Sequence, residues 1–247
     1  MTNREIMEYD VVVVGAGPSG LSAAIKLKQL TKESNRELSV CVIEKGSEVG
    51  AHIVSGAVIE TKALDELIPD WKTKNSPLKT EAKNDKFLYL TETKSYQLPT
   101  PPQMHNKGNY IISLSDFTKW LAQQAEELEV EIYPGFAASE VLFDENNKVL
   151  GVATCDMGRL KDGSEGPNFE KGIELRAKQT IFSEGCRGHL GKILMEKFNL
   201  NSDNSPQTYG IGIKELWEVT PENSKPGSIM HTTGWPLDND TYGGSFL

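Results

Sequence analysis

Tyr9-Asp10-Val11-Val12-Val13-Val14-Gly15-Ala16-Gly17-Pro18-Ser19-Gly20 is the stretch on which the fold turns. Four consecutive β-branched residues suit a strand covered on both faces, as in the centre of a parallel sheet. Gly15, Gly17 and Gly20 then stand at G-x-G-x-x-G spacing. In that pattern the first glycine makes the tight turn, the second lets a pyrophosphate reach the backbone, and the third lets helix and strand pack closely. Leu21, Ala24, Ile25 and Leu27 continue the stretch as an apolar helical stripe that fades into the polar run from Thr31 to Arg36. A second strand, Leu38 to Ile43, ends in Glu44, where an acid accepts hydrogen bonds from a ribose hydroxyl and disfavours a 2'-phosphate. Strand, turn, helix, strand and acid in this order predict a dinucleotide site for NAD or FAD.

The chain of 247 residues is long enough for one large or two small domains, and 38% hydrophobic with 25% charged residues describes a globular protein. A net charge of -9 argues against nucleic acid as a partner, because backbone phosphates call for clustered Lys and Arg. No run of eighteen apolar residues is present, and the N-terminal residues show neither a signal-peptide core nor an Arg-rich transit pattern. Residence on the cytoplasmic side of a bacterial-type cell is the expectation. Cys41, Cys155 and Cys186 are too scattered for a metal or cluster motif, so no metal ligand is assigned. The segment from Lys72 to Lys86 reads as an excursion, and the charged, glycine-rich run from Gly158 to Gly172 as a long hairpin.

The choice between the two dinucleotides comes from the segments beyond Glu44. Lys45 to Ala57 interleaves glycines with small residues, which lets backbone press against a flat ring system; His52 is a candidate hydrogen-bonding group there. A helix from Ser115 to Leu128, a strand from Val130 to Tyr133 and a hairpin, Ser139 to Phe143 with Val149 to Ala153, precede an apolar strand that runs into Ser183-Glu184-Gly185-Cys186. A hairpin in this place suits FAD-binding Rossmann domains, whereas simple NAD dehydrogenases continue with βα units. FAD is therefore the expected cofactor.

Several longer blocks carry a family resemblance: Gly50-Ala51-His52-Ile53-Val54-Ser55-Gly56-Ala57, Pro69-Asp70-Trp71, Gly108-Asn109-Tyr110-Ile111, Tyr133-Pro134-Gly135-Phe136-Ala137-Ala138, Thr180 to Cys186, Pro206 to Trp217, His231 to Asp238 and Thr241 to Leu247. Together the chain resembles electron transfer flavoprotein-ubiquinone oxidoreductase over nearly its whole length. The resemblance implies an α/β fold, an FAD-binding Rossmann-type domain with an interleaved α+β quinone-binding domain. It further implies an enzyme that takes electrons from reduced electron transfer flavoprotein, uses FAD and a [4Fe-4S] cluster, and reduces ubiquinone at a membrane surface, peripherally on the cytoplasmic face of a bacterial inner membrane. The implied FAD-binding set is Gly15, Ala16, Gly17, Pro18, Ser19, Gly20, Glu44, Lys45, Gly50, His52, Val54, Ser55, Val141, Glu184 and Gly185, and the implied quinone-contacting pair is Gly243 and Gly244. Residues 1–71 and 109–200 are assigned to the FAD domain, and 72–108 and 201–247 to the ubiquinone domain.

By the same resemblance the segment from about Gly50 to Trp71 dips into a bilayer, with Leu64, Leu67, Ile68 and Trp71 at helical spacing as its apolar face. From periodicity alone a helix packed on its own domain is the preferred reading, and it is the resemblance that turns the face toward a bilayer. Family members are more than twice this length and bind the cluster through four cysteines of a C-terminal domain, which the three cysteines here do not match. The chain reads as an incomplete part of such an enzyme. Electron transfer needs no acid-base triad, so no catalytic residue is named, and Lys214, Glu215 and His231 read as solvated surface groups. Two rivals stay open: a geranylgeranyl-reductase-like or aromatic-hydroxylase-like flavoenzyme, against which the Thr208 to Trp217 and Thr241 to Leu247 blocks argue, and a non-catalytic fragment.

Overall fold

The computed structural model of the protein describes residues 4–54 and 56–247. The first half holds β1 (Ile6–Val14), α1 (Pro18–Glu33), β2 (Val40–Glu44), β3 (Ala57–Ile59), α2 (Lys62–Leu67), β4 (Thr80–Glu81), β5 (Asn84–Leu90), β6 (Ser95–Leu98), β7 (Tyr110–Ile112) and α3 (Leu114–Glu126). There follow β8 (Glu131–Pro134), β9 (Ala138–Phe143), β10 (Val149–Thr154), β11 (Met157–Arg159), β12 (Glu165–Glu170), β13 (Glu174–Phe182), α4 (His189–Lys197), β14 (Ser228–Gly234) and β15 (Ser245–Phe246). Two compact units divide them: one runs to Ile53 and resumes over Thr118–Gly212, the other joins Val54–Phe117 to Ile213–Leu247. These limits follow packing, whereas the division expected from the resemblance follows role; the stretches 54–71, 109–117 and 201–212 fall on different sides in the two.

In the first unit the sheet order is β8-β2-β1-β13-β10-β9. The strands β8, β2, β1 and β13 are parallel, and β10 and β9 continue antiparallel from β13. The valine run is the middle of this sheet, as its composition predicts. Alternation sends Val12, Val14, Cys41 and Ile43 to one face, where they form a core with Val141, Val152, Leu175 and Leu190. Val11, Val13, Val40 and Val42 take the other, and α1 packs on β1 and β2 with Leu21, Ala24 and Ile25 buried.

The sheet cannot be flat. Pro134 at one edge and Ala138 at the other are four residues apart, a reach of at most about 14 Å, whereas five flat interstrand spacings would demand about 24 Å. The β9-β10 hairpin therefore curls back over the face of β1 and β2, which is why Val141 and Val152 share a core with Val12 and Ile43. Gly151, with φ of +146°, allows the close crossing: a Cβ there would strike the carbonyl of Leu175. The long hairpin expected over Gly158 to Gly172 forms β11 and β12, with Arg159 over the ring of Phe169 at 4.8 Å.

The second unit contains a sheet ordered β15-β14-β5-β6 and a small one ordered β3-β7-β4. Here one expectation is corrected. The face of Leu64, Ile68 and Trp71 is not offered to a bilayer: these side chains are 4%, 5% and 2% exposed. Trp71 stands edge-on to Tyr110 at 5.6 Å, and its indole N–H donates to Asp65 Oδ1 at 2.7 Å. The i, i+3, i+4, i+7 spacing recorded burial against the helix's own unit, and the carboxylate of Asp65 is held low by the Trp71 and Thr61 hydrogen bonds. No helix among the described residues is long and apolar enough to cross a membrane.

Candidate dinucleotide site

The strand order reverses at β1: the chain steps outward to β2 and β8 on one side, and returns to β13 on the other. In an open parallel sheet such a switch point leaves a crevice at the carboxyl ends of the strands, and ligands bind there. The turn Gly15 to Gly20 fills the mouth of this crevice. Its backbone is tied on both flanks, Gly15 N–H to the Ile43 carbonyl at 2.8 Å and Ser183 N–H to the Val14 carbonyl at 2.8 Å.

Each glycine of the motif meets a different environment. Gly15 has φ of +103°, and a Cβ on it would approach the Ser183 carbonyl oxygen to 2.6 Å, so turn and neighbouring strand both require its absence. A Cβ on Gly20 would collide with the Gly15 carbonyl and crowd Val13 Cγ1 at 3.1 Å, the helix-to-strand contact expected of the third glycine. Around Gly17 nothing lies within 4 Å of where a Cβ would point. That open cradle is the place a phosphate would use. Gly17 is the N-cap of α1, Pro18 opens the helix, no side chain caps it, and its first turn carries no acid. The amides at this end are aimed at the crevice with a partial positive charge to offer an anion. Ala16 is buried beneath the turn and Ser19 is exposed above it.

One strand further out, Glu44 ends β2. Its Oε2 accepts from Ala16 N–H at 3.0 Å, and its Oε1 from Gly46 N–H at 2.8 Å. The carboxylate thus braces the glycine turn, and each oxygen keeps a second lone pair free to accept from a hydroxyl. Gly46 is a participant that the sequence reading missed, since a Cβ on it would crowd both Glu48 and Glu44 at 3.0 and 3.2 Å. Lys45 is exposed beside it. The Gly46 carbonyl accepts from Gly135 N–H at 2.7 Å, which links β2 to the end of β8.

On the β13 side, Glu184 reaches the crevice with its main chain: its backbone N lies 3.5 Å from a Cβ position at Gly15. Its side chain turns away. Oε1 accepts from Leu190 N–H at 3.3 Å and Oε2 from Gly191 N–H at 2.7 Å, so the carboxylate caps α4, with His189 Nδ1 at 3.4 Å. Gly185, at φ of +78°, also faces open space. Of the remaining predicted residues, Gly50 is buried at φ of +86°, and His52 and Val54 are exposed. Val141 has its side chain in the core, leaving only backbone for a ligand. Ser55 lies outside the described residues.

The predicted glycine pair has its own structural account. A Cβ on Gly244 would strike the Thr232 carbonyl, and one on Gly243 would approach Leu237 Cδ1 to 2.9 Å. Both glycines let the chain enter β15, whose Ser245 and Phe246 pair with Thr232 and His231.

Residues 209–247 match the family model described as ETF-QO, ubiquinone-binding, and residues 2–67 match the Thi4 family. A mitochondrial electron transfer flavoprotein-ubiquinone oxidoreductase of Dictyostelium discoideum is 59% identical over 99% of this chain and 40% of its own length. A Pseudomonas aeruginosa protein of the same name is 56% identical over 99% of this chain and 45% of its own. Among solved structures, a geranylgeranyl bacteriochlorophyll reductase-like protein of Thermoplasma acidophilum aligns with a TM-score of 0.59 at 20% identity, covering 93% of this chain and 51% of that one. That likeness shows the fold, an α/β Rossmann-type architecture. The chain spans about two fifths of the length of the curated relatives it matches, and it belongs to the electron transfer flavoprotein-ubiquinone oxidoreductase family.

Proposed function

We propose that the chain is the FAD-holding part, with a portion of the quinone-binding part, of a flavoenzyme that carries electrons from reduced electron transfer flavoprotein to ubiquinone. The observation that carries this reading is the glycine turn, in which Gly15 and Gly20 are filled by the fold while Gly17 stays open. FAD fits these residues. The amides at the start of α1 would hold its pyrophosphate, Glu44 its ribose hydroxyls, and the backbone of Glu184 and Gly185 would border the other half. Bound there, FAD supplies reversible acceptance of one or two electrons. The protein's own residues bind and orient it; no side chain is asked to shuttle a proton.

A [4Fe-4S] cluster does not fit. The chain has three cysteines. Cys41 is buried in the core, with its thiol pushed up to about 12 by that burial, and Cys155 and Cys186 are exposed on other segments. Among the described residues no three His, Cys, Asp or Glu gather to hold a metal. The role given to this chain therefore ends at the flavin and the quinone.

Ubiquinone as the acceptor is supported by the match over residues 209–247, and Gly243 and Gly244 are proposed as its backbone contacts. Peripheral attachment to a membrane, at the cytoplasmic face in a bacterial cell, is proposed on other apolar groups than α2. Ile211, Ile213, Leu216 and Tyr242 are 90% or more exposed.

The test is an absorbance spectrum of the purified chain after addition of FAD and desalting. A retained flavin band is expected. Colourless protein would overturn the assignment of the cofactor site to this chain.

A further inference from the structure

Resting on the dinucleotide reading above, we infer that Phe136 is the platform on which the purine base of the nucleotide stacks. The sheet itself measures out the positions. The phosphate cradle lies at the end of β1, the ribose acid Glu44 at the end of β2, and in the next row Glu44 pairs with Pro134 of β8. Successive strands are about 4.8 Å apart, so the end of β8 lies about 10 Å from the cradle, the reach of a ribose with its base. The chain there is pinned by the Gly135 to Gly46 hydrogen bond of 2.7 Å. Gly135 has φ of +85° and open space around it. Phe136 follows, two residues past the end of β8, its aromatic ring left 38% exposed.

This ring is held from behind. Tyr133 meets it edge-on, with centroids 6.1 Å apart and planes at 78°. Tyr133 is itself fixed by its hydroxyl, which donates to Glu131 Oε2 at 2.6 Å and lies 3.4 Å from the Tyr9 hydroxyl; Tyr9 also donates to Glu131, at 2.9 Å. The hydrogen bond to Glu131 pushes the Tyr133 hydroxyl up, and burial does the same for Tyr9, so both stay neutral donors. No step of electron transfer uses this triad. Its consequence is an aromatic face positioned before the ligand arrives, and a purine stacks on such a face without demanding a hydrogen-bond code.

Calorimetric titration of the full 247-residue chain with ADP, and separately with inorganic pyrophosphate, tests the inference. Phe136→Ala is expected to weaken ADP by about tenfold and leave pyrophosphate unchanged, whereas Phe136→Trp keeps ADP affinity. Equal ADP affinity in wild type and Phe136→Ala overturns the base platform while leaving the phosphate cradle standing. A wild-type chain that binds neither probe overturns the dinucleotide reading, and this inference with it. Circular dichroism of the variants confirms that the comparison is between folded chains.

Discussion

Gly17 and Gly20 are three residues apart and have opposite tolerances. At Gly17 the backbone, φ of -77°, is one that any residue adopts, and a methyl group would enter open space. Gly17→Ala is thus expected to leave urea denaturation unchanged while weakening FAD by about tenfold or more, because the methyl group occupies the phosphate position. At Gly20 an alanine would ordinarily stabilise a helix by up to about 1 kcal/mol. Here its Cβ meets the Gly15 carbonyl, and overpacking of this kind costs about 1–3 kcal/mol, so Gly20→Ala is expected to lower the denaturation midpoint. Retained flavin binding in the first variant, or undiminished stability in the second, would contradict the roles given to these glycines. The packing at Gly20 and the open space at Gly17 follow the motif spacing, since turn and packing are local. Glu184 was legible only in part: its carboxylate serves α4, and that needed knowledge of where the chain goes next. Glu184→Ala should cost about 1 kcal/mol and speed amide exchange at Leu190 and Gly191, with flavin affinity retained.

At the scale of elements, Asp10 holds three strands together. Its carboxylate accepts from Ser39 N–H at 2.9 Å and Oγ at 3.1 Å at the entry to β2, and pairs with Lys178 of β13 at 2.6 Å. Lys178 first, then the Ser39 amide, lower its pKa from 3.8 to about 2. A carboxylate held low in the folded state contributes stability above its unfolded pKa and loses it as pH falls through the folded value. Asp10→Asn should therefore be less stable than wild type at neutral pH, and the gap should close as pH falls from 3.8 to about 2; a gap that stays constant over that window would sink the linkage. Sequence located the elements of this unit within a few residues, because valine runs, helical stripes and turn residues act locally. β1 begins earlier than its valines suggest, at Ile6, because Ile6 to Tyr9 pair with Glu174 to Ala177, a partner far along the chain. The sheets of the second unit were illegible for the same reason: β14 pairs in parallel with β5, Ser228 beside Asn84, and the mixed run Asn84-Asp85-Lys86-Phe87 carries no clear alternation. Phe136 likewise gained its meaning only when β8 was placed beside β2.

For the whole molecule, the buried face of α2 separates membrane contact from internal packing. Leu64→Ala is expected to cost about 2–5 kcal/mol in chemical denaturation and leave co-sedimentation with lipid vesicles unaltered. Loss of vesicle binding without loss of stability would restore the interfacial helix. The arrangement of β1 has a further effect, on the time course of synthesis. One side of this apolar strand is covered by β2 soon after it is made, but its other neighbour, β13, ends at Phe182, roughly 140 residues beyond Glu44. At translation speeds of about 5–20 residues per second the open edge waits on the order of ten to thirty seconds. During that interval four valines keep one row of backbone groups unpaired, so this edge of the nascent chain closes only when β13 leaves the ribosome.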